Sequence, residues 1–539
     1  MAFATLRFAG VLPAMPETPP DLLALSFLAP LVLLPAALLA ALRPGRRPGM
    51  AVRLSEGAAL AAFALALAGL VQAALGAAGG IGVGEGALAL GLRADLVSTS
   101  IAALVGFIGW IVMRYSRTYL DGEAREGLFH ALMLTTLAAV LVFVQAGTVP
   151  TLILATIAVG AALRQLLLFY PERGEARRAA TKFALVWHAG DAMLVLAAGL
   201  LVARFGTLDL AALPAAAEAA GLGLAGTLGI AAIIAAAALK TAAFPLHGWL
   251  TEVMEAPTPV SALLHAGIIN SGGVLLISAA GLVQQSAGAM AALVMIGGFT
   301  ALFGAAVMLT QSAIKTALAW STVSQMGFML LQCGLGLWSL ALLHIIAHSL
   351  YKAHAFLSSG NAVAEVARIR RPGPVAVPSV AAVLKSFALA LAIFVAIAAS
   401  FTAAFGPKSP QALALGAILI FGVAYLVAQG LADRAPVALT KRTAAAALAA
   451  AIGYFSFQAI AQALWGPLLP PAPTPDALEW ALLVVAVASF GLVAFAQALF
   501  PLWAHHPASA GLRVHLANGL YMNALLDRAI GGLRTTRPL

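Results

Sequence analysis

Several ionisable side chains stand inside the apolar runs of this sequence. Arg164, Lys240, Lys315, Lys352 and Lys385 do so, together with Asp191 and the histidines His188, His247, His265, His344, His348 and His354. A charge near the centre of a bilayer costs about 2.5–3.5 kcal/mol on insertion scales, and chains bear that cost where the group faces a wet cavity or a partner, usually on an ion or proton path. In HIIAHSLYKAHAF, His344, His348 and Lys352 follow an i, i+4, i+8 pattern. On a helix that spacing makes one polar stripe with a group on each turn. Imidazole titrates near about pH 6.5 and burial brings a lysine toward neutrality, so such a row can pass protons through intervening water. A zinc site on His344 and His348 is the rival reading. It lacks the Glu of an HExxH pattern and any obvious further ligand.

The stretch KTAAFPLHGWLTEVMEAPTPVSALLHAGIINSGG, 240–273, is the second concentration of chemistry. Pro245, Pro257 and Pro259 break the helix beside Lys240, and a broken helix frees backbone groups that are tolerated only in a cavity or buried in protein. A lysine beside a break, followed by His247 and His265, reads as a half-channel junction. Glu252 and Glu255 fall in the break as partners or as loop charges. Blander readings stand beside these. Lys315 and Lys385 lie near span ends, where a long side chain snorkels to the interface, and Arg164 reaches the inner surface in the same way. His130, near a span start, reads as a satisfied interfacial histidine. His505, His506 and His515 lie outside the spans and receive no role.

The elements that position these groups follow from composition and charge. Of 539 residues, 62% are hydrophobic and 9% charged, against about 25% charged in a typical soluble domain. That excludes a soluble fold, disorder and nucleic-acid binding despite the net charge of +10. The lone cysteine, Cys333, excludes a disulfide framework and a Cys-rich metal or iron–sulfur site. Apolar runs occur at roughly 22–42, 56–78, 95–114, 127–147, 149–170, 180–203, 223–244, 259–282, 289–310, 314–333, 339–360, 378–403, 411–431, 437–463 and 479–503. They are of bilayer-spanning length and Ala/Leu-rich, unlike the alternating strands of a barrel. The expected fold is an all-α polytopic membrane protein of about 14–15 helices.

Basic residues test the layout. With the N-terminus outside, the inner loops carry Arg43, Arg46, Arg47, Arg53, Arg114, Arg117, Arg125, Arg173, Arg177, Arg178, Lys182, Arg368, Arg370, Arg371, Arg434, Lys441 and Arg442. The tail adds Arg513, Arg528, Arg534 and Arg537, while the outer segments hold Arg7, Arg93, Arg204 and Lys408. This asymmetry is what the positive-inside rule predicts, and the inner charges also meet anionic lipid. Segment 1–21 lacks a basic n-region and a small-residue cleavage site, so 22–42 is expected to remain as the first helix. The tail, 505–539, reads as interfacial helix. The remaining chain divides into N-terminal helices (1–94), a translocation core (95–365) and divergent C-terminal helices (366–504).

At these residues the chain resembles the antiporter-like family, which includes the large proton-pumping subunit of respiratory complex I (subunit L, or subunit 5) and the Mrp-type cation/proton antiporters. The motifs are FPLHGWLTEVMEAPTPVSALLHA at 244–266, IKTALAWSTVSQMGFMLL at 314–331, HIIAHSLYKAHAFLSSG at 344–360 and HAGD at 188–191, within about 95–360. The resemblance implies two inverted five-helix repeats with broken helices. It also implies roles residue by residue. Lys240 matches the broken-helix lysine that handles protons centrally, and His265 the histidine of the next helix. Lys315 falls in the IK pair. His344, His348 and Lys352 match the relay helix, and Asp191 the aspartate of the sixth helix. His188, His247, Glu255 and Lys385 are candidate charge partners. No catalytic residue and no metal ligand is implied in this chain.

Departures from the family pattern narrow the reading. Family pumps place a glutamate on the fifth helix, in a W-E-G-V-G setting, as partner of the broken-helix lysine. Here the stretch is ATIAVG, 155–160, with Ile157 at that position, leaving Asp191 or a partner subunit's acid to replace it. A second-repeat G-F-F-S-K-D motif is missing after 360, with Lys385 only a loose stand-in, and no counterpart of the complex I lateral helix follows the last span. The break itself, MEAPTPVSALLHAGIINSGG, is similar to that of the DabB branch, the membrane subunits of bacterial inorganic-carbon accumulation complexes. That branch implies a large soluble DabA-like partner with a zinc site, and H+ or Na+ entry driving CO2 hydration to bicarbonate. This chain is then not an enzyme, has no cofactor of its own and leaves zinc to the partner. The alternatives are a complex I subunit, a cation/proton antiporter subunit and a secondary transporter binding a small solute at the break.

Overall fold

The computed structural model describes residues 23–361, 379–430 and 437–529. Arg7, Arg368, Arg370, Arg371, Arg434, Arg534 and Arg537 of the topology argument lie outside these residues. The first run forms α1 (Ala24–Leu28) and α2 (Leu33–Ala41), followed by α3 (Met50–Ala74), α4 (Leu96–Tyr119), α5 (Glu126–Val144) and α6 (Val149–Leu167). Next come α7 (Gly174–Phe205), the short α8 (Leu213–Ala220) and α9 (Gly223–Lys240). The broken region contains α10 (Gly248–Thr251), α11 (Thr258–Ala266), α12 (Ser271–Ser278) and α13 (Ala280–Val283). Then follow α14 (Ala287–Met308), α15 (Ile314–Gly334) and α16 (Trp338–Leu357). The C-terminal helices are α17 (Val380–Phe405), α18 (Pro410–Gly430), α19 (Val437–Trp465) and α20 (Ala477–Ala498), with α21 (Phe500–Trp503), α22 (Pro507–Ala517) and α23 (Met522–Ala529) beyond.

The chain is a multi-pass helical membrane protein. Among the described residues, 13 helices are long and apolar enough to cross a membrane. The runs at 314–333 and 411–431 are helical as well, in α15 and α18. Local signals set the ends. Asp95 caps α4 in a reciprocal box with Ser98, and Thr148, Ser286 and Ser379 accept from first-turn amides of α6, α14 and α17. Each cap satisfies a backbone donor that no helical carbonyl reaches. Between α3 and α4 the glycine-rich GGIGVGEGALALGLRA folds into an antiparallel hairpin, β1 (Gly79–Val83) on β2 (Leu90–Ala94). Its turn uses positive φ at Gly84 and Gly86, a conformation that glycine adopts without steric penalty.

Small residues let α14 and α15 approach closely. A methyl group at Gly297, Gly304 or Gly327 would run into the backbone of the facing helix of the α14–α15 pair, the small-residue packing that holds membrane helices together in place of a hydrophobic drive. The densest part is the broken span 258–278, with 94% of its apolar stretch buried, whereas α17 and α20 are 28% buried. Broken backbone is therefore enclosed by protein, and the late helices turn most of their surface outward.

Candidate ion-translocation site

Lys240 is the last residue of α9. Beyond it Ala242 takes a positive φ, the Phe244–Pro245 peptide is cis, and regular helix resumes at Thr258. The interruption is hydrogen-bonded from within: the Trp249 indole donates to the Leu239 carbonyl (3.2 Å), the Phe244 amide to Thr300 Oγ1 (3.1 Å), and Thr241 Oγ1 to the Ala237 carbonyl (2.8 Å). A second interruption, at 268–270, follows α11. There the Asn270 amide donates to the Ala266 carbonyl and to Ser349 Oγ, both at 3.0 Å. The apolar run 259–282 is therefore not one continuous helix. Gly267 and Asn270 were the signal that it breaks.

Lys240 is fully buried, and its Nζ donates to Asp191 Oδ1 at 2.6 Å. The other carboxylate oxygen lies 2.8 Å from His188 Nδ1. The Trp187 ring centroid is 4.1 Å from Nζ, in cation–π range, and the Trp187 carbonyl is a further acceptor at 3.5 Å. Gly190 leaves room for the lysine, since a Cβ there would lie 3.3 Å from its Cγ and Cε. One face of α7 thus builds the whole setting. Asp191 answers the question left by Ile157, which is 41% exposed on α6: the carboxylate comes from the next helix of the same chain.

A second group lies on α16 and its neighbours. His348 and Lys352 are buried and His344 is half-buried, with the two imidazole centroids 6.1 Å apart. His344 Nδ1 meets Gln332 Oε1 at 2.7 Å. Lys352 Nζ donates to Ser321 Oγ (2.9 Å) and the Leu318 carbonyl (3.0 Å). His265, wholly buried, stacks on Phe356 one turn beyond Lys352 at 4.3 Å and meets Thr322 Oγ1 at 3.1 Å. Among the described residues, both ring nitrogens of His348, and Nε2 of His265 and of His344, have no hydrogen-bond partner. Buried polar atoms left open in this way are where water or a transferred proton is accommodated. A cavity of about 600 Å³ reaches this row, lined in part by Gln325, Gln332, His344, His348, Tyr351 and Tyr454. Between the two groups stands α12, where Gly272 lies against Ala237 and Thr241, and Gly273 against Met329 and Ile345.

Other sequence candidates fall elsewhere. Glu255 pairs with Arg173 at 2.9 Å, both substantially exposed, so it serves the loop and not Lys240. Lys385 is exposed on α17, His354 and Arg164 are exposed, and Lys315 is half-buried in the first turn of α15. His247 is buried in an aromatic box of Phe244, Phe303 and Trp320. Two readings need correction. His130 is not a satisfied interfacial residue: it is buried, and among the described residues neither ring nitrogen has a hydrogen-bond partner. Lys182 is not an inner-loop charge: it lies within α7, fully buried and ion-paired with Glu252 at 2.8 Å and Asp527 at 2.5 Å. Only the fold could reveal this, because Asp527 is far along the sequence. Among the described residues, no group of three or more His, Cys, Asp or Glu side chains is placed to hold a metal ion.

Comparisons with known proteins cover this region. The NADH:quinone oxidoreductase/Mrp antiporter transmembrane family matches residues 146–410, which contain both groups. A protein of Halothiobacillus neapolitanus, named "Probable inorganic carbon transporter subunit DabB2", is 35% identical over 87% of this chain and 86% of its own. The chain belongs to the antiporter-like family. A DabB subunit of Hydrogenovibrio crunogenus is 41% identical over 53% of this chain and 55% of its own. NADH-quinone oxidoreductase subunit L of Mycobacterium tuberculosis is 35% identical over 52% and 46%. Among solved structures, a chain of the Mrp complex from Dietzia superposes with a TM-score of 0.63 at 24% identity, covering 96% of this chain and 60% of that one. That likeness is one of fold.

Proposed function

We propose that this chain is the cation-conducting membrane subunit of an energy-coupled inorganic carbon accumulation complex, carrying H+ or Na+ inward while a soluble, zinc-containing DabA-like partner hydrates CO2. The observation that carries the reading is the Lys240–Asp191 ion pair, buried at the broken end of α9 and 2.6 Å long. A buried pair of this kind is weak evidence for stability, because desolvation offsets most of the attraction. It is better understood as a charge held where an arriving ion can displace it. Loading of Asp191 by a cation releases the Lys240 ammonium, which then transfers its proton or its electrostatic influence across α12 toward His265 and Lys352. The histidines His348 and His344 lead on to the cavity beside α16. Each step changes the charge seen by the next group, which couples ion movement to the protein's state. Similarity over 87% of the chain to a DabB protein, and the break sequence, support assignment to carbon accumulation. The chemistry of hydration then belongs to the partner, and this chain performs no catalysis itself.

The test is complementation. The chain is expressed with a DabA-like soluble partner in a carbonic-anhydrase-deficient bacterial host grown in ordinary air. Growth is expected, dependent on Lys240 and Lys352. Failure to grow with both proteins present in the membrane would overturn the proposal, and unchanged growth with Lys240→Ala and Lys352→Ala would remove those lysines from the path.

A further inference from the structure

The buried charge at Lys182 is not used by the path just described, and its surroundings are unusual. Its Nζ contacts Glu252 of the break, Asp527 of α23 and the Asn523 carbonyl oxygen of α23, the last at 2.8 Å. Arg178, one turn earlier on α7, also reaches Glu252 (3.6 Å) and bonds Asp527. The Asn523 amide nitrogen closes the circuit onto Glu252. Two cations therefore meet two carboxylates, drawn from α7, the break and the tail. Glu252 and Asp527 side chains are only 21% and 14% exposed. The tail is seated at further points. Gln311, between α14 and α15, donates to the Ala517 carbonyl (3.3 Å), and Gly519 lies against Trp320 and His247. Asn523 lies directly over Gly248. The sequence reading of this tail as interfacial helix leaves its acidic and amide groups without a purpose. The fold gives them one, since without Asp527 the cluster retains a single carboxylate against Lys182 and Arg178.

We infer that Lys182 and Asp527 form the clasp of a gate: the C-terminal segment 507–529 closes the mouth of the break on the face of Lys182, and it must release for ions to reach Lys240. The inference rests on the translocation reading above. Charge balance holds the segment down, because a buried charge that loses its partner is strongly disfavoured. An incoming cation at Glu252 competes with Lys182 for the same carboxylate, so arrival of the transported ion itself loosens the clasp. Lys182 acts here as a positioning residue and touches no transported ion in the closed state.

The experiment uses the full-length chain, purified with whatever subunit accompanies it, in proteoliposomes carrying a pH-sensitive dye, with proton entry driven by a potassium diffusion potential. Asp527→Asn preserves shape but unbalances the clasp, and passive proton entry is expected to rise about tenfold. Adding Lys240→Ala should remove that rise, which a nonspecific leak would not do. The opposite perturbation is a staple. A Cβ at Gly248 lies 3.4 Å from that of Asn523, close to the roughly 3.5–4.5 Å that a disulfide spans. In Gly248→Cys/Asn523→Cys the oxidised form should conduct less than about a tenth of the reduced form, as expected for a closed and an open clasp, with recovery on adding reductant. The native cysteine, Cys333, is buried and does not compete. Proton entry by Asp527→Asn equal to wild type, or equal conduction by oxidised and reduced forms once the cross-link has formed, would overturn the gate. Absence of Lys240-dependent entry in the wild type would overturn the translocation reading, and the gate with it.

Discussion

Asp191→Asn isolates the role of the buried ion pair, since asparagine keeps the size of the side chain and removes its charge. Lys240 Nζ and Asp191 Oδ1 are 2.6 Å apart, with side chains 0% and 6% exposed. At an effective dielectric constant of about 20 such a pair attracts by about 6 kcal/mol. Part of this offsets desolvation, and removing one member of a buried pair costs about 3–5 kcal/mol in practice. Little else holds the ammonium: the Trp187 face contributes about 0.5–2 kcal/mol and the Trp187 carbonyl is at the limit of hydrogen-bonding distance. Removing the carboxylate therefore takes away most of what holds the buried Lys240 ammonium in place. The site then lacks the ion pair that an arriving cation would displace. Growth of the carbonic-anhydrase-deficient host in air, measured beside membrane protein level by immunoblot, is expected to be lost while the protein persists. Wild-type growth with Asp191→Asn at normal protein level would refute the argument, because it would mean that a different acid serves Lys240.

Three further outcomes follow from the same coordinates. Gly190→Ala puts a methyl group 3.3 Å from Lys240 Cγ and Cε, so it should displace the lysine from Asp191 and reduce growth in air at normal protein level; growth equal to wild type would show that the lysine adapts. Thr322→Val removes the partner of His265 Nδ1 and is expected to slow proton entry in proteoliposomes without changing thermal stability by more than about 1 kcal/mol, the worth of a single hydrogen bond; unchanged entry would take His265 off the path. Lys385→Ala alters an exposed residue of α17 and should leave growth untouched, whereas loss of growth would restore it as a functional lysine.

The sequence was most legible where a residue type contradicted its surroundings. Lys240, Lys352 and the histidines stood out because bilayer-length apolar runs have no reason to hold them unless something faces them. The break was legible for a similar reason: Pro245, Pro257 and Pro259 cannot sit in an uninterrupted helix. Helix positions followed from run length, so each apolar run found a helix within a few residues. Less legible were features that depend on a neighbour far along the chain. Glu255 and Glu252 look alike in sequence, yet one meets exposed Arg173 and the other a buried lysine. Lys182 resembled the other inner basic residues because three arginines come just before it, and nothing local says that Glu252 and Asp527 enclose it.

What the sequence by itself determined was therefore the class of protein, the run of helices, the position of the break and the stripe His344–His348–Lys352, all set by periodicities and costs that act within a few turns of chain. The tertiary structure decided the pairings. It turned Asp191 of α7 toward Lys240 in place of the missing fifth-helix glutamate, seated α12 between the lysine and the histidine row, and brought Asp527 of the tail to Lys182 of α7. Charges in a low-dielectric interior are governed by their contacts in space, and those contacts are fixed only when helices distant in sequence pack together.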